Sequence, residues 1–405
     1  RQIQASLTWG HESWNMTEWL INYSGGFVRR GLGGEFIALI SSLSHVQANF
    51  VVIAVSIAVY LVALVYFLRK TRHAFPLVLM LSPVAMGAPV YEEFIVRKDV
   101  LGILLLIVAL HISLSPARGI RKFVYLNLVA CAAIFSHESF GFYALPALIA
   151  FNALADSSDK RKPVEQIASA FVYLLPAFAA FVGVMLFHGD AKTAVAINSH
   201  WRDLWIAIDP RGCLLEEPCI DKPWAAIDSL QWGLWRTVPL NASPLHAFSS
   251  GIYVPLAWLA TMALCYFSLL QFLKVEPGGG GQHSEKHASE RARLSYILII
   301  QLALMGPLFV VGWDFGRWIF LWTTSSIVLY SVGFDPIRII PERLATLSVK
   351  LAGSGIFRRN PSTWLLFLLG IPGCCWTVGS FFVSSPIGYI VNVVLEAVEV
   401  IHVAP

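Results

Sequence analysis

Four short clusters set carboxylates beside arginine, lysine or histidine in an otherwise apolar chain. The first contains Glu18 and runs on through a glycine-rich stretch that holds Arg29, Arg30 and Glu35. The second is Tyr91-Glu92-Glu93-Phe94-Ile95-Val96-Arg97-Lys98-Asp99. The third is Ser136-His137-Glu138-Ser139, and the fourth is Gly312-Trp313-Asp314-Phe315-Gly316-Arg317-Trp318. Arginine forks match phosphate oxygens in two-pronged geometry, and lysine adds a point charge. Arg29, Arg30, Arg97, Lys98 and Arg317 are therefore candidate anion binders, with His137, Asp99, Glu92 and Glu93 interleaved. Glu18, Glu35, Glu138 and Asp314 are candidate general bases. Glycines around Arg29 and Arg30 free the backbone to approach a ligand closely.

Each cluster also has a purely structural reading. Arg29 and Arg30 can mark an interfacial helix that meets lipid phosphates, and Arg97, Lys98 and Asp99 can be a loop with internal ion pairs. His137 and Glu138 can be a satisfied polar pair at a helical hairpin. Asp314 and Arg317 are three apart, the spacing of a local pair on one helix face. Trp9, Trp14, Trp19, Trp313 and Trp318 suit an interfacial aromatic belt or stacking on sugar rings.

The elements that must position these groups are membrane helices. Of 405 residues, 57% are apolar and 13% charged, and the mean hydropathy is +0.66. That charge content is about half of what a soluble domain carries. With 26 Phe, 14 Trp and 12 Tyr the chain is also far from a disordered composition. The expected fold is all-α, a polytopic integral membrane protein forming one membrane domain over residues 1–405. Long apolar runs lie at about 48–68, 100–115, 166–187, 251–273, 294–312 and 364–384. Shorter runs at about 76–90, 123–136, 141–155 and 319–333 are spans with polar ends or re-entrant helices. This gives about ten transmembrane or re-entrant helices. A further span before Arg1 is expected, because the polar first segment has none ahead of it, which would make about eleven.

Basic residues collect at 69–72, 118–122, 160–162, 274–293 and 338–359, and every one of these falls on the same side if each run crosses. Loops on that side hold 18 basic and 8 acidic residues, against 11 and 17 on the other. The basic side is then cytoplasmic. Residues 1–47 form a first outer loop and 188–250 a large outer loop, so all four polar clusters face outward. Residues 274–293, with Gly278–Gly281, read as a flexible cytoplasmic linker. Residues 335–362 read as a cytoplasmic interfacial segment.

Cys213 and Cys219 are six apart in the large outer loop, where a small disulfide loop is expected, with metal binding as the alternative. Asn15, Asn22 and Asn241 each begin a glycosylation sequon, which carries meaning only in a eukaryote. There is no phosphate-binding Walker loop, no dinucleotide glycine fingerprint, no His-Glu-x-x-His and no paired Cys-x-x-Cys. No cofactor is implied and no metal site is assigned, although the outer carboxylates leave a divalent cation open. Net charge is only +4, so nucleic acid is not an expected partner.

Many spans, an acidic first outer loop, outer carboxylates with Arg and Lys, and a large later outer loop together resemble the GT-C superfamily of membrane glycosyltransferases. That resemblance implies a polyprenyl-phosphate-linked sugar donor and an acidic base in the first outer loop. Glu18 or Glu35 would be that base, and Arg29, Arg30, Arg97, Lys98 and Arg317 would hold the lipid phosphate. The sequence departs from the family pattern in that its first acids are Glu12 and Glu18 with no span before them. The run from Tyr23 to Gly31 also resembles uncharacterised bacterial surface-polysaccharide membrane proteins. Wzy-type polysaccharide polymerases share the compartment and donor, and rely on outer arginines.

The expected function is glycosyl transfer in cell-envelope polysaccharide assembly, in a bacterial inner membrane with the site facing the periplasm. The partners would be a polyprenyl-phosphate sugar, a glycan or lipid-linked acceptor, and membrane lipids. Two alternatives remain from other classes: a transporter or flippase of a lipid-linked or anionic solute, and a non-catalytic membrane subunit.

Overall fold

The computed structural model describes residues 13–336 apart from 92–93, 117–118, 155–160, 209–222, 234–252, 275–281 and 313, together with a few isolated positions beyond 369. Among the described residues there are helices and turns and no strand. Helices of ten residues or more are α1 (Gly31–Ser44), α2 (Ala48–Thr71), α3 (Asp99–Leu114), α4 (Ile120–Ser136), α5 (Leu145–Leu154), α6 (Pro163–Tyr173), α7 (Leu175–Leu186), α8 (Ala191–Ile208), α9 (Tyr253–Gln271), α10 (Gln282–Val311) and α11 (Phe315–Ser331).

Among the described residues two helices are long and apolar enough to cross a membrane, Ala48–Thr71 and the Ser289–Val310 part of α10. A third span results if α6 and α7 count as one, bent by 67° at their junction. Pro176 lies in the first turn of α7, where it removes a backbone donor that would otherwise bond back into α6. Helices α1 and α3, the pair Phe140–Leu154 and the Leu256–Gln271 part of α9 are apolar but shorter. A helix rises about 1.5 Å per residue, so these fall below the length of a full crossing. The expected spans are thus present as apolar helices in part, and the number of full-length ones among the described residues is two or three rather than about ten. The 364–384 run, the 335–362 segment, Glu92, Glu93, Cys213 and Cys219 lie outside the described residues or nearly so. Helix α10 begins at Gln282, so the stretch expected as a flexible linker is helical from there on.

The described chain forms two compact units. The first combines residues 1–64, 94–149 and 168–237. Its core joins Met16, Trp19, Leu20 and Ile21 to Val52, to Trp201 of α8, and to Trp224, Ile227 and Leu230. Polar ties fix the register. The Trp201 indole N–H donates to Leu20 O at 2.5 Å, and Ala226 N–H to Thr17 Oγ1 at 3.1 Å. Residues 13–30 and the segments 188–208 and 223–231, all expected on the outer side, therefore pack on each other. Helix α3 packs on α4, α4 on α7, and α1 on both α4 and the turn Glu18–Leu20.

The second unit combines residues 65–93, 150–167 and 238–405. Helices α10 and α11 form its central hairpin, with α9 alongside. Trp322 Nε1 donates to Leu298 O at 2.7 Å within it. At one end the Arg293 guanidinium lies 4.2 Å from the Tyr330 ring centroid and 3.3 Å from Glu290, whose carboxylate accepts from the Tyr330 hydroxyl at 2.6 Å.

Candidate functional site

Three of the four polar clusters contribute to one knot in the first unit. The short turn Glu18–Leu20 carries Glu18, the bend before α1 carries Arg29 and Arg30, the lead into α3 carries Arg97 and Lys98, and the exit from α4 carries His137 and Glu138. All of these positions are junctions between helices, where a side chain can be aimed inward without disturbing an apolar helix face.

The backbone at the centre is held open by close packing. Arg30 has φ 66°, in the left-handed region that a non-glycine residue adopts at a cost of about 1–3 kcal/mol. The strain sits directly before α1, at its N-cap position. A methyl on Gly34 would lie 2.0 Å from Ile21 O, and one on Gly31 would lie 2.2 Å from the Tyr23 ring. These glycines thus serve close packing of α1 on residues 21–23, a different use from the ligand approach expected of them. Glu35 belongs to the same packing, since its Oε1 accepts the Tyr23 N–H at 2.7 Å. Glu35 is placed as an anchor of the 22–30 bend, outside the knot of cations.

Charges alternate through the knot. Arg97 donates from Nε to Asn15 Oδ1, and its Nη1 is 3.6 Å from Glu18 Oε2. Glu18 is fully buried, and its Oε1 lies 2.8 Å from His137 Nε2. The other ring nitrogen, Nδ1, accepts the Ser139 N–H at 3.2 Å and lies 3.8 Å from Glu138 Oε2. Glu138 follows, gripped by Arg30 through Nε at 2.7 Å to Oε2 and through Nη2 to Oε1. Arg29 Nη1 is 4.0 Å from the same carboxylate, and Arg29 Nη2 donates to Ser229 O at 3.3 Å. Lys98 Nζ donates to Arg30 O at 3.0 Å and sits 5.4 Å from the Trp19 ring centroid.

Burial and neighbours tune these groups in opposite directions. Burial pulls the Lys98 ammonium down to about 7, against the opposing pull of Glu18, while Arg30 pushes it further down. Burial alone would raise the Glu138 carboxyl, but Arg30, His137 and Arg29 outweigh it and hold the group well below the usual carboxylate range. Arg29 is lowered by burial, which its neighbour Glu138 partly offsets.

Arg29 differs from its neighbours. Its carboxylate contact is the longest of the knot, its buried Nε makes no hydrogen bond, and its side chain keeps 20% of its surface exposed. A partly exposed arginine whose Nη1 stands 4.0 Å from its carboxylate is the group best placed to take an incoming anion.

The remaining expected residues fall elsewhere. Asp99, first residue of α3, is buried beside Tyr143. Asp314 and Arg317 lie in the second unit, where Arg317 Nη1 donates to Asp314 Oδ2 at 2.5 Å, three residues back, and the guanidinium lies over the Trp318 ring. This is the local pair that their spacing allowed. Trp19 is a correction to the aromatic-belt and sugar-stacking readings: it is 2% exposed and its indole donates to Val96 O. Asn15 and Ser229 O were not foreseen as partners. Asn15 stood in the first polar cluster, but nothing in its spacing pointed to Arg97, and a backbone carbonyl leaves no mark in sequence. Among the described residues no group of three or more His, Cys, Asp or Glu is arranged to hold a metal ion.

Residues 4–200 match the model of a family described as "Uncharacterised membrane protein Rv1490". The matched stretch holds every side chain of the knot from Glu18 to Glu138 and ends before Ser229. No curated protein and no solved structure is detectably similar to the chain. With its long apolar helices and this match, the chain is a helical membrane protein.

Proposed function

We propose that the protein is a membrane glycosyltransferase that takes a polyprenyl-phosphate-linked sugar on the extracytoplasmic face of a bacterial inner membrane, and that the knot around Arg29 and Arg30 holds the lipid phosphate. The observation that carries this reading is the convergence of Arg29, Arg30, Arg97 and Lys98 with Glu18 and Glu138, with Arg30 and Glu138 alone 108 residues apart in the chain. Arg29 offers the accessible edge. As the bond from sugar to phosphate breaks, negative charge grows on the phosphate, and preorganised guanidinium groups favour that charge over the ground state. A carboxylate takes the proton of the acceptor hydroxyl, and no nucleotide is needed because the lipid phosphate is the leaving group.

The pairing of both buried carboxylates with cations also favours a second reading, a Wzy-type polymerase in which arginines act and no carboxylate base is free. The two readings share the phosphate site. It is tested by transfer of sugar from an extract of polyprenyl-phosphate-linked donors to membrane acceptors by the purified protein. Activity lost in Arg29→Gln and kept in Arg202→Gln, a partly exposed arginine on α8 outside the knot, supports the site; equal activity in both variants removes it.

A further inference from the structure

The contact between Glu138 and the two arginines has the form of a ligand complex. A carboxylate presents two oxygens to the Arg30 fork in the same planar geometry that a phosphate would use. It stands within 4.0 Å of Arg29 as well. The grip is assembled at a cost: Arg30 is left-handed, its carbonyl is held by Lys98, and the Arg29 Nε beside it is buried without a hydrogen bond. Glu138 sits at the exit of α4, in the short turn before Phe140, where a few backbone torsions move the side chain.

We propose that Glu138 is an internal stand-in for the ligand's phosphate, occupying the Arg29–Arg30 pair until a lipid phosphate ester displaces it. This rests on the phosphate-site reading above and adds an occupant to that site. While clasped, Glu138 is held strongly ionised and is a poor base. Displacement releases it beside the bound ester. There it takes the proton of the acceptor hydroxyl while that oxygen bonds the anomeric carbon. The carbon–oxygen bond to phosphate breaks in the same event, and its electron pair leaves on the phosphate between the two guanidinium groups.

The test is equilibrium binding of geranyl monophosphate, a short isoprenyl phosphate, to the full chain in mild detergent. Removing an internal competitor strengthens ligand binding, whereas removing a merely structural partner weakens it or leaves it alone. Glu138→Gln is expected to bind geranyl monophosphate about tenfold more tightly than the wild type, the scale of one charge-assisted hydrogen bond. Equal or weaker binding by a folded Glu138→Gln overturns the stand-in. Should that variant fail to fold, infrared difference spectra of the wild type decide. Adding geranyl monophosphate is expected to shift a carboxylate stretching band, and that shift is expected to vanish in Arg29→Gln; a spectrum with no carboxylate change on saturation overturns the proposal. Failure of the underlying reading looks different: the wild type and Glu138→Gln alike then bind no geranyl monophosphate.

Discussion

Arg30 and Glu138, 108 residues apart in the chain, meet in a two-pronged ion pair, with Arg30 Nε 2.7 Å from Glu138 Oε2. Their side chains keep only 16% and 10% of their surface exposed. A pair so enclosed gains little net stability from its own attraction, yet losing one partner strands a buried charge. Arg30→Met is expected to lower unfolding stability by about 3–5 kcal/mol. Combining it with Glu138→Leu is expected to return most of that loss. Thermal unfolding of the purified variants in one detergent measures both, and additive losses in the double variant would contradict the coupling.

Lys98 supplies a pH dependence. Its folded-state value of about 7 lies below the ordinary 10.5, so between those pH values the unfolded chain binds more protons than the folded one. Stability therefore rises with pH from about 7 toward 10.5, and the cost of burying the ammonium is felt in full below about 7. Melting temperature against pH is expected to show this rise in the wild type and to lose it in Lys98→Met. A rise of the same size in the variant assigns it to other groups.

Close packing at Gly34 gives a prediction independent of charge. A methyl there would meet Ile21 O at 2.0 Å, and a backbone carbonyl cannot rotate aside as a side chain can. Gly34→Ala is expected to cost at least about 1–3 kcal/mol, in spite of the better helix propensity of alanine. At Gly306, where an added Cβ meets nothing within 4 Å, alanine is expected to be neutral or stabilising. Comparing the two melting curves separates packing from propensity.

Glu18 is predicted to position rather than to act. It is fully buried between Arg97 and His137, 3.6 Å from the first and 2.8 Å from the second. Glu18→Gln keeps its shape and is expected to slow sugar transfer far less than Glu138→Gln, which removes the base and a factor of about 100 or more. The sign of the KM change separates the roles as well: Glu138→Gln lowers KM for the donor along with kcat. Equal losses in both variants would return Glu18 to the position of base.

Much of this arrangement was legible in the sequence because ionisable residues in an apolar chain are conspicuous. Arg29, Arg30, Arg97, Lys98, His137 and Glu138 stood out by type alone, and three of the four clusters contribute to one knot. Pairing was not legible. Nothing local distinguishes Glu35, which anchors a bend, from Glu138, which clasps two arginines, since the partners are set by how α1, α3 and α4 pack. Gly31 and Gly34 in the first turn of α1 are used for close approach, but sequence does not name the object approached, and it is the chain's own residues 21–23 rather than the ligand expected. Span lengths were overestimated for the same reason that apolar runs are easy to see: a run such as 166–187 does not reveal that the helix bends by 67° near its first third.

The central claim is that the Arg29–Arg30 pair binds the phosphate of a polyprenyl lipid, and native mass spectrometry of the protein purified in mild detergent tests it most directly. The account predicts a co-purified polyprenyl phosphate or diphosphate on the wild type, lost in the Arg29→Gln/Arg30→Gln double variant. Bulk phospholipid alone, with identical spectra for the wild type and a folded double variant, would contradict it.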